Sequence, residues 1–280
     1  MKTSQQDPRI EAALRGKTIY GDDFSRDKID AWFRDEVNGY ASLEHMDSQT
    51  DYYAYHAMDA AYAWRYVKGS HLRVLGLGSA YGSEFRPMAS RIESLTIVEP
   101  AEKFWRSEVA GLPAQFLRPD PSGRLPFDTK SFDLATAFGV LHHIPNVSTV
   151  LAELIRVLKP GGQLTIREPI TSMGDWRQPR RGLTAHERGI PKDQLAALAL
   201  ANGCTVTSAA FIGFAPLIKL VARNPAASPS NSPHFVRVDR WLSRAFEWNY
   251  SYHRTYFLRR FAPTVGCWVL TKSHAGDARP

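Results

Sequence analysis

The sequence is poor in cysteine and lacks long apolar runs. Only Cys204 and Cys267 occur among its 280 residues, both in apolar, strand-like stretches, so we expect two buried thiols and neither a disulfide nor a metal site. No run of about 18 apolar residues exists, which argues against a membrane-spanning helix. The N-terminal stretch MKTSQQDPRIEAALRG lacks the apolar centre of a secretory signal, and we therefore expect a cytoplasmic protein.

Acidic residues are scarce toward the C-terminus. Residues 201–280 contain ten Lys and Arg but only three acids, Asp239, Glu247 and Asp277, and this difference equals the whole formal net charge of +7. A basic surface attracts anionic partners such as phosphorylated substrates, acidic headgroups or nucleic acid. A solvated surface without a partner would explain the same charge.

The chain is organised around the stretch HLRVLGLGSAYG at residues 71–82. Residues 72–77 are mostly apolar and predict a short buried strand, and Gly76, Gly78 and Gly82 surround its end. A strand that enters a Gly-rich turn brings bare backbone N–H groups against a ligand. The same glycines are compatible with an ordinary tight turn, so the downstream pattern has to decide.

Strand-like and helix-like segments alternate along the chain. Apolar residues at 147, 150, 151, 154, 155 and 158 fit one face of an amphipathic helix. Further helices are predicted at 83–91, 100–109 and 193–201, and strands at 72–77, 95–98, 115–117, 132–138, 163–167, 204–211 and 267–270. This alternation predicts an α/β fold with a doubly wound, Rossmann-like, seven-stranded sheet.

Four regions are predicted. Residues 1–70 are rich in aromatics and form an N-terminal helical cap, in which the Ala-rich stretch 51–67 favours a helix that packs on the core or covers a ligand. Residues 71–214 form the Rossmann-like core. Residues 215–264 are too many for a simple connection and form a basic, aromatic insert before the last strand. Residues 265–280 hold that strand and a tail.

Polar residues follow several of the predicted strands. Ligands of doubly wound sheets bind at the carboxyl ends of the strands, where the strand order reverses. Gly78, Glu99, Asp120, His142 and Glu168 all fall at such ends. An acid about 20 residues beyond the glycines, as Glu99 is, can accept hydrogen bonds from both hydroxyls of a ribose.

Together these motifs resemble those of the class I S-adenosylmethionine-dependent methyltransferases. They occur in the family's order. The Gly-rich turn at 74–82 comes first, and Glu99 stands at the position of the family's ribose-binding acid. Asp120 follows, with LPF at 125–127 and FDL at 132–134, and then LKPGG at 158–162. The resemblance covers residues 71–170, with a weaker similarity up to 214 and at 265–272.

The resemblance implies S-adenosylmethionine as the cofactor. It implies that Gly76, Gly78, Ser79, Gly82, Glu99 and Asp120 bind it. It also implies an enzyme that methylates a small-molecule or glycan acceptor at a hydroxyl, with no metal required. Gly76 stands where the family usually has an acid and Ala80 where it has a glycine, and these departures leave open a non-catalytic binding protein.

Two histidines are candidates for catalysis. His142 and His143 follow the fourth predicted strand of the core, beside the expected transfer site. Histidine titrates near working pH and can remove the proton of a hydroxyl acceptor. Alternatively, one of them caps the following helix and the other packs against the sheet.

The long polar stretch 167–192 is predicted to form the acceptor side. Glu168, Arg177, Arg181 and His186 are the candidate substrate contacts, since Arg side chains suit a phosphate or carboxylate; a solvated basic loop is the alternative. With the insert, this loop loosely resembles methyltransferases of bacterial cell-surface glycan and related biosynthesis. That resemblance implies an anionic or sugar-linked small molecule.

Two other classes remain open. Gly76-x-Gly78-x-x-x-Gly82 with a later acid is compatible with a nicotinamide dinucleotide, although the LPF, FDL and LKPGG motifs have no role in such a fold. The basic, aromatic C-terminal part would suit a nucleic-acid methyltransferase. However, GVLH at 139–142 replaces the Pro-Pro-Tyr type signature of those enzymes, so nucleic acid is not an expected partner.

Overall fold

A computed structural model describes residues 7–41, 53–178, 180, 182–221 and 228–274 of the chain. The strands are β1 (Leu72–Leu77), β2 (Ile92–Val98), β3 (Glu108–Val109), β4 (Leu112–Leu117), β5 (Phe132–Phe138), β6 (Leu158–Pro169), β7 (Cys204–Ile212) and β8 (Val265–Lys272). The α-helices are α1 (Pro8–Leu14), α2 (Arg26–Ala41), α3 (His56–Tyr62), α4 (Val147–Val157), α5 (Lys192–Ala201), α6 (Ala215–Val221) and α7 (Pro233–Ala245).

The strands join in one sheet with the order β3-β4-β2-β1-β5-β6-β8-β7. Neighbours from β4 to β6 are parallel, whereas β8 runs antiparallel between β6 and β7. The order reverses between β1 and β5, so the carboxyl ends of β1, β2 and β5 surround one crevice. This topology confirms the predicted doubly wound, Rossmann-like α/β fold.

The core lies on both faces of the sheet. Val74 and Leu75 of β1 are fully buried. All six apolar positions predicted for one helix face at 147–158 are buried as well. The first five lie in α4, which confirms its buried face, and Leu158 begins β6. Cys204 and Cys267 are buried free thiols, as predicted.

The sheet contains one strand more than the seven predicted. The additional strand, β3, is only two residues long and pairs antiparallel with β4. Ala110 and Gly111 join the two strands with positive φ values of 52° and 81°, as in a tight type I′ hairpin. A strand this short has no periodicity from which a sequence could predict it.

The predicted helix over 100–109 is wrong. The structure has a single 3₁₀ turn there, at Glu102–Phe104, followed by β3. The Glu99 carboxylate accepts the N–H of Ala101 at 3.0 Å, and Ala101 is extended (φ −97°, ψ 102°), so an α-helix cannot begin there. Ser83–Arg91 is also a 3₁₀ helix, and Pro87 lies inside it.

Two elements of the predicted cap lie against the core. Within the predicted helix 51–67, the structure shows α3 and a 3₁₀ turn at Trp64–Tyr66, while Asp51 and Tyr52 lie outside the described residues. Trp32 of α2 is 2% exposed, and its indole N–H donates to the carbonyl of His143 at 2.8 Å. This bond fixes α2 across the crevice. Across the described residues, no helix combines the length and apolar content needed to cross a bilayer.

Candidate active site

A cleft opens at the carboxyl ends of β1, β2 and β5, and α2 covers it. Ile29, Phe33 and Val37 of α2 form an apolar roof, and Glu36 lies among them. The cleft contains about 930 Å³ of space, including open solvent at its mouth.

Gly78 forms the wall of the cleft at the end of β1. Its φ is +62°, and its N–H donates to the carbonyl of Val98 at 2.8 Å. A Cβ at this position would overlap the side chain of Val140. Only glycine therefore allows the turn after β1 to lie this close to the turn after β5, with its backbone facing the cleft.

Gly78→Ala is expected to displace Val140 and weaken cofactor binding at least tenfold. The left-handed backbone alone costs about 1–2 kcal/mol for a residue with a Cβ, and the overlap with Val140 adds to it. Gly111→Ala is the matched control, because Gly111 also has a positive φ (+81°) but an added Cβ would have no atom within 4 Å. Thermal unfolding measures the stability of both variants, and calorimetric titration measures their affinity for the cofactor. Equal cofactor affinity in the two variants would contradict this placement of Gly78.

Glu99 follows β2 and faces the same cleft. It is 1% exposed, and its two oxygens accept the N–H groups of Ala80 and Ala101, each at 3.0 Å. Burial raises the pKa of Glu99, and these two backbone donors oppose the shift. A carboxylate has about four acceptor positions, so each oxygen can still accept a hydroxyl. The carboxylate therefore fits the paired hydroxyls of a ribose.

The two departures from the family pattern have a local explanation. An added Cβ at Gly76 would meet the Ser79 hydroxyl and come within 3.0 Å of the Phe85 ring, so these side chains occupy the space of the usual acid. Ala80 adopts a positive φ of 45° and still donates its N–H to Glu99. A second carboxyl group, Glu84, is buried nearby; burial raises its pKa to about 7, against the opposing effect of Ser79.

The other predicted cofactor contacts divide into two groups. Asp120 lies at the rim of the cleft, where its carboxylate accepts the N–H of Ser122 at 2.7 Å. Hydrogen bonds from Ser122, and then the Arg26 guanidinium, lower the pKa of Asp120. Gly76, Ser79 and Gly82 do not line this cleft, and they shape the turn behind it.

The histidine pair follows β5 and lies against α2. His143 lines the cleft, and its Nδ1 is 2.8 Å from a carboxylate oxygen of Glu36. Its Nε2 is 3.3 Å from Oε1 of Glu187. Thr184 donates its hydroxyl to Glu36 at 2.7 Å. The carboxylate of Glu36 therefore holds Nδ1 of His143, and Nε2 of the same ring lies on the side of Glu187.

His142 is buried and faces two carboxylates. Its Nδ1 is 2.7 Å from Glu168 and its Nε2 is 3.6 Å from Glu187. Burial lowers the pKa of His142, but Glu168 and Glu187 outweigh this effect and raise it to about 9. His142 is therefore cationic near neutral pH. One ring nitrogen of each histidine and an oxygen of Glu187 lie within 4.8 Å of one another, so this trio could hold a divalent cation once His142 loses its proton.

Glu168 organises the turn that carries both histidines. Its side chain is fully buried, and one oxygen accepts the N–H groups of Val140 at 2.8 Å and Leu141 at 2.7 Å. The other oxygen holds Nδ1 of His142. Glu168 does not line the cleft, and its acceptor positions are used within the protein. Its geometry supports a positioning role instead of the predicted direct contact with substrate.

Glu168→Ala is expected to lower the free energy of unfolding by about 3–5 kcal/mol. The variant leaves two buried N–H groups and a cationic imidazole without their acceptor, and breaking a buried ionic contact from one side costs that much. Urea unfolding measures the change. Glu102→Ala removes an exposed carboxylate paired with Arg118 and should change stability by less than about 1 kcal/mol; a similarly small loss for Glu168→Ala would contradict the role assigned to Glu168.

The two other predicted substrate contacts that the structure describes, Arg177 and His186, do not line the cleft. Arg177 forms an ion pair with Asp175 of the same loop, at 2.6 Å. His186 stacks on Trp32 with ring centroids 4.6 Å apart, and its Nε2 is 3.1 Å from Asp35. It therefore joins the acceptor-side loop to α2. Arg181 lies outside the described residues.

Three residues of the site escaped the sequence-based prediction. Glu36 and Glu187 are the carboxylates around the histidines, and Arg188, fully buried, donates to the carbonyls of His142 at 3.0 Å and Ile144 at 2.7 Å. The sequence contained an indication of Glu36. Ile29, Phe33 and Glu36 follow one another at spacings of four and three residues, which places Glu36 on the apolar face of α2. A lone carboxylate on such a face indicates a buried polar partner.

Comparison with the sequences of known proteins gives short matches. Residues 75–166 match a family model described as a methyltransferase domain. The chain is 38% identical over 73 residues to the phthiotriol/phenolphthiotriol dimycocerosates methyltransferase of Mycobacterium leprae, which is 25% of this chain and 26% of that protein. It is 42% identical over 55 residues to the ubiquinone/menaquinone biosynthesis C-methyltransferase UbiE of Xylella fastidiosa, covering 20% and 22%. The chain thus matches about a quarter of the length of these relatives.

Solved structures are similar over most of the chain. A chain of the complex with the Haloferax volcanii Trm112 methyltransferase activator has a TM-score of 0.52 at 15% identity, with 90% of this chain and 100% of that chain covered. The (4+2)-cyclase SpnF has a TM-score of 0.50 at 18% identity, with 88% and 93% covered. Such distant similarity establishes the fold alone, because one fold supports several chemistries.

Proposed function

We propose that this protein is a class I S-adenosylmethionine-dependent methyltransferase that methylates a hydroxyl of a small, largely apolar acceptor. The order of motifs and the match of residues 75–166 to a methyltransferase domain support the first part of this proposal. One observation supports this most directly. A single cleft brings together Gly78 and Glu99, which suit the cofactor, and His143, which suits a proton acceptor, beneath a roof of apolar side chains.

The residues around the cleft fit S-adenosylmethionine. When bound, the cofactor supplies an electrophilic methyl group on its sulfonium. Glu99 offers one acceptor position on each oxygen for the ribose hydroxyls, and Gly78 allows the backbone to approach the ligand without a side chain. Asp120 lies at the rim, where the family resemblance expects the adenine. These contacts supply proximity and orientation, which are the main requirements of an in-line methyl transfer.

His143 receives the proton in this proposal. The acceptor oxygen forms a bond to the methyl carbon while the carbon–sulfur bond breaks, and the electron pair of that bond stays on sulfur. The hydroxyl proton passes to Nε2 of His143. Glu36 holds Nδ1 of the ring, and Glu187, 3.3 Å from Nε2, stabilises the resulting imidazolium. His142 is already cationic, so it positions Glu187 instead of accepting the proton.

The apolar roof favours an apolar acceptor over the anionic or sugar-linked one that the sequence suggests. The relatives named above include enzymes whose names refer to dimycocerosates and to quinones, and these names are compatible with an apolar substrate. Arg177, the described member of the predicted arginine pair, lies away from the cleft. Among the described residues that line the cleft, Arg124 is the one arginine.

The test is a transfer assay with S-adenosylmethionine labelled with deuterium in the methyl group. The protein is incubated with reduced quinones, hydroxylated sterols and phenols, and with sugar nucleotides as the polar comparison. Mass spectrometry should show a labelled methyl ether on an apolar hydroxylated acceptor. Transfer to sugar nucleotides or to a carbon atom would overturn the proposed acceptor, and cofactor binding without transfer to any class would favour a non-catalytic binding protein.

A further inference from the structure

One face of α7 presents arginine and tryptophan in alternation. Arg237, Trp241 and Arg244 follow one another at spacings of four and three residues, which places them on one stripe of α7. Trp248 follows in the 3₁₀ turn Glu247–Asn249, directly after the helix. Trp241 is 71% exposed and Trp248 is 77% exposed. Large aromatic side chains this exposed are uncommon on the surface of a monomer unless the surface binds something.

The buried side of α7 holds the helix so that this stripe faces solvent. Val236, Asp239 and Ser243 are buried on the opposite side of the helix. The Asp239 carboxylate accepts the N–H groups of Gly213 at 2.7 Å and Phe214 at 2.6 Å. Because the helix is tied to the end of β7 through these bonds, it cannot rotate to bury its tryptophans.

A second exposed apolar group lies next to the stripe. Tyr256, Phe257 and Leu258 are 75%, 66% and 73% exposed, at the start of a 3₁₀ turn over Phe257–Arg260. Asn249, the residue after Trp248, donates its side-chain amide to the carbonyl of Leu258 at 2.8 Å. This bond holds the turn beside the end of α7, so the two groups form one surface.

The arginines of this surface are not neutralised. We name the surface the Trp–Arg face and define it as Arg237, Trp241, Arg244, Trp248, Tyr256, Phe257, Leu258, Arg259 and Arg260. In the described part of the chain, no ion pair includes any of these arginines. Asp239 is buried and Glu247 pairs with Lys192 at 3.1 Å, so the nearby acids are used elsewhere.

We propose that the Trp–Arg face docks the protein on the surface of an anionic phospholipid bilayer. Arginine is attracted to anionic headgroups, and tryptophan and tyrosine favour the boundary between headgroups and acyl chains. A helix with a strongly cationic polar pattern and exposed aromatic residues lies in that boundary without spanning it. Leu258, an exposed aliphatic side chain, suits acyl chains, whereas it offers no stacking partner to a nucleobase.

This inference does not rest on the methyl transfer proposed above. A protein that methylates an apolar acceptor would meet that acceptor in a membrane, so the two proposals agree. They fail separately, because membrane binding is measured without cofactor or acceptor. Loss of one result therefore leaves the other untouched.

The experiment is co-sedimentation of the full chain with vesicles of phosphatidylcholine alone or mixed with phosphatidylglycerol. Binding should require phosphatidylglycerol and weaken as salt rises. The double variant Arg237→Gln/Arg244→Gln should bind roughly 25-fold more weakly, since each arginine near an anionic surface contributes roughly fivefold. Trp241→Ala/Trp248→Ala tests the apolar part and should also reduce binding at least tenfold.

Arg15→Gln/Arg106→Gln is the matched control, because it removes the same charge from exposed positions outside the Trp–Arg face. It should bind like the unaltered protein. Equal losses in the two arginine variants, or binding independent of phosphatidylglycerol, would overturn the proposal. So would binding of single-stranded nucleic acid in preference to vesicles, or a dimer in solution that the Trp241→Ala/Trp248→Ala variant abolishes.

Discussion

Glu99→Gln is expected to weaken the binding of S-adenosylmethionine by about 100-fold. The carboxylate is almost fully buried at the cleft, and each oxygen retains one acceptor position after it accepts a backbone N–H. A hydrogen bond to a charged group contributes about 1.5–3 kcal/mol. The amide of glutamine keeps one oxygen as a neutral acceptor and puts an NH2 donor in place of the other, so one charged hydrogen bond is lost and the second is weakened. Together these changes cost about 3 kcal/mol, which corresponds to about two orders of magnitude in Kd. Isothermal titration calorimetry measures the Kd for S-adenosylmethionine.

The comparison variant for Glu99 is Glu102→Gln. Glu102 is three residues further along the chain, is exposed and pairs with Arg118 outside the cleft. Its substitution should leave the Kd for S-adenosylmethionine unchanged. Thermal unfolding of both variants establishes that each is folded during the titration. Full-strength cofactor binding by a folded Glu99→Gln variant would refute the assignment of the ribose site.

His143→Ala is expected to reduce kcat for methyl transfer by about 10²–10⁴-fold, because that is the usual contribution of a positioned general base. The Kd for S-adenosylmethionine should change little, since the cofactor contacts lie at Glu99 and Gly78. The split between kcat and Kd separates a chemical role from a structural one. Single-turnover assays with saturating cofactor measure the rate of methyl transfer, and calorimetric titration measures the Kd.

Two further variants make the test of His143 selective. His71→Ala changes an exposed histidine before β1 and should leave kcat unaltered. Glu36→Gln keeps the size of the side chain that holds Nδ1 of His143 at 2.8 Å, and should lower kcat less than His143→Ala does. An unchanged kcat in His143→Ala would mean that the acceptor's proton leaves by another route.

The fold was predictable because its signals are local. Five of the six apolar positions at helical spacing lie in α4 and the sixth, Leu158, begins β6. All six are buried, as their spacing predicts. The position of Glu99 followed from the same reasoning, since a residue directly after a buried parallel strand lies at the edge where ligands bind. Hydrophobic periodicity and turn residues are enough for such elements.

The histidine cluster was only half predictable. His142 and His143 could be placed by the strand before them, but Glu36 reaches His143 across 107 positions of sequence. Glu187 comes from a loop with no periodicity. Such contacts depend on how α2 and the loop pack over the sheet, and a single sequence does not contain that information.

The wrong helix over 100–109 has a related cause. Its residues allow a helix, but a tertiary feature, the Glu99 carboxylate, holds the N–H of Ala101 and extends the chain where the helix would begin. The departures at Gly76 and Ala80 illustrate the opposite case. The sequence left a doubt about function, and the structure shows Ser79 and Phe85 filling the space at Gly76 while Ala80 keeps its bond to Glu99.

The most direct test of the central claim is calorimetric titration of the unaltered protein with S-adenosylmethionine, with its demethylated product and with NADH. The cleft around Gly78, Glu99 and Asp120 predicts that the first two bind with micromolar affinity and that NADH does not. Binding of NADH in place of the sulfonium pair, or no binding of any of the three by a folded protein, would contradict the account.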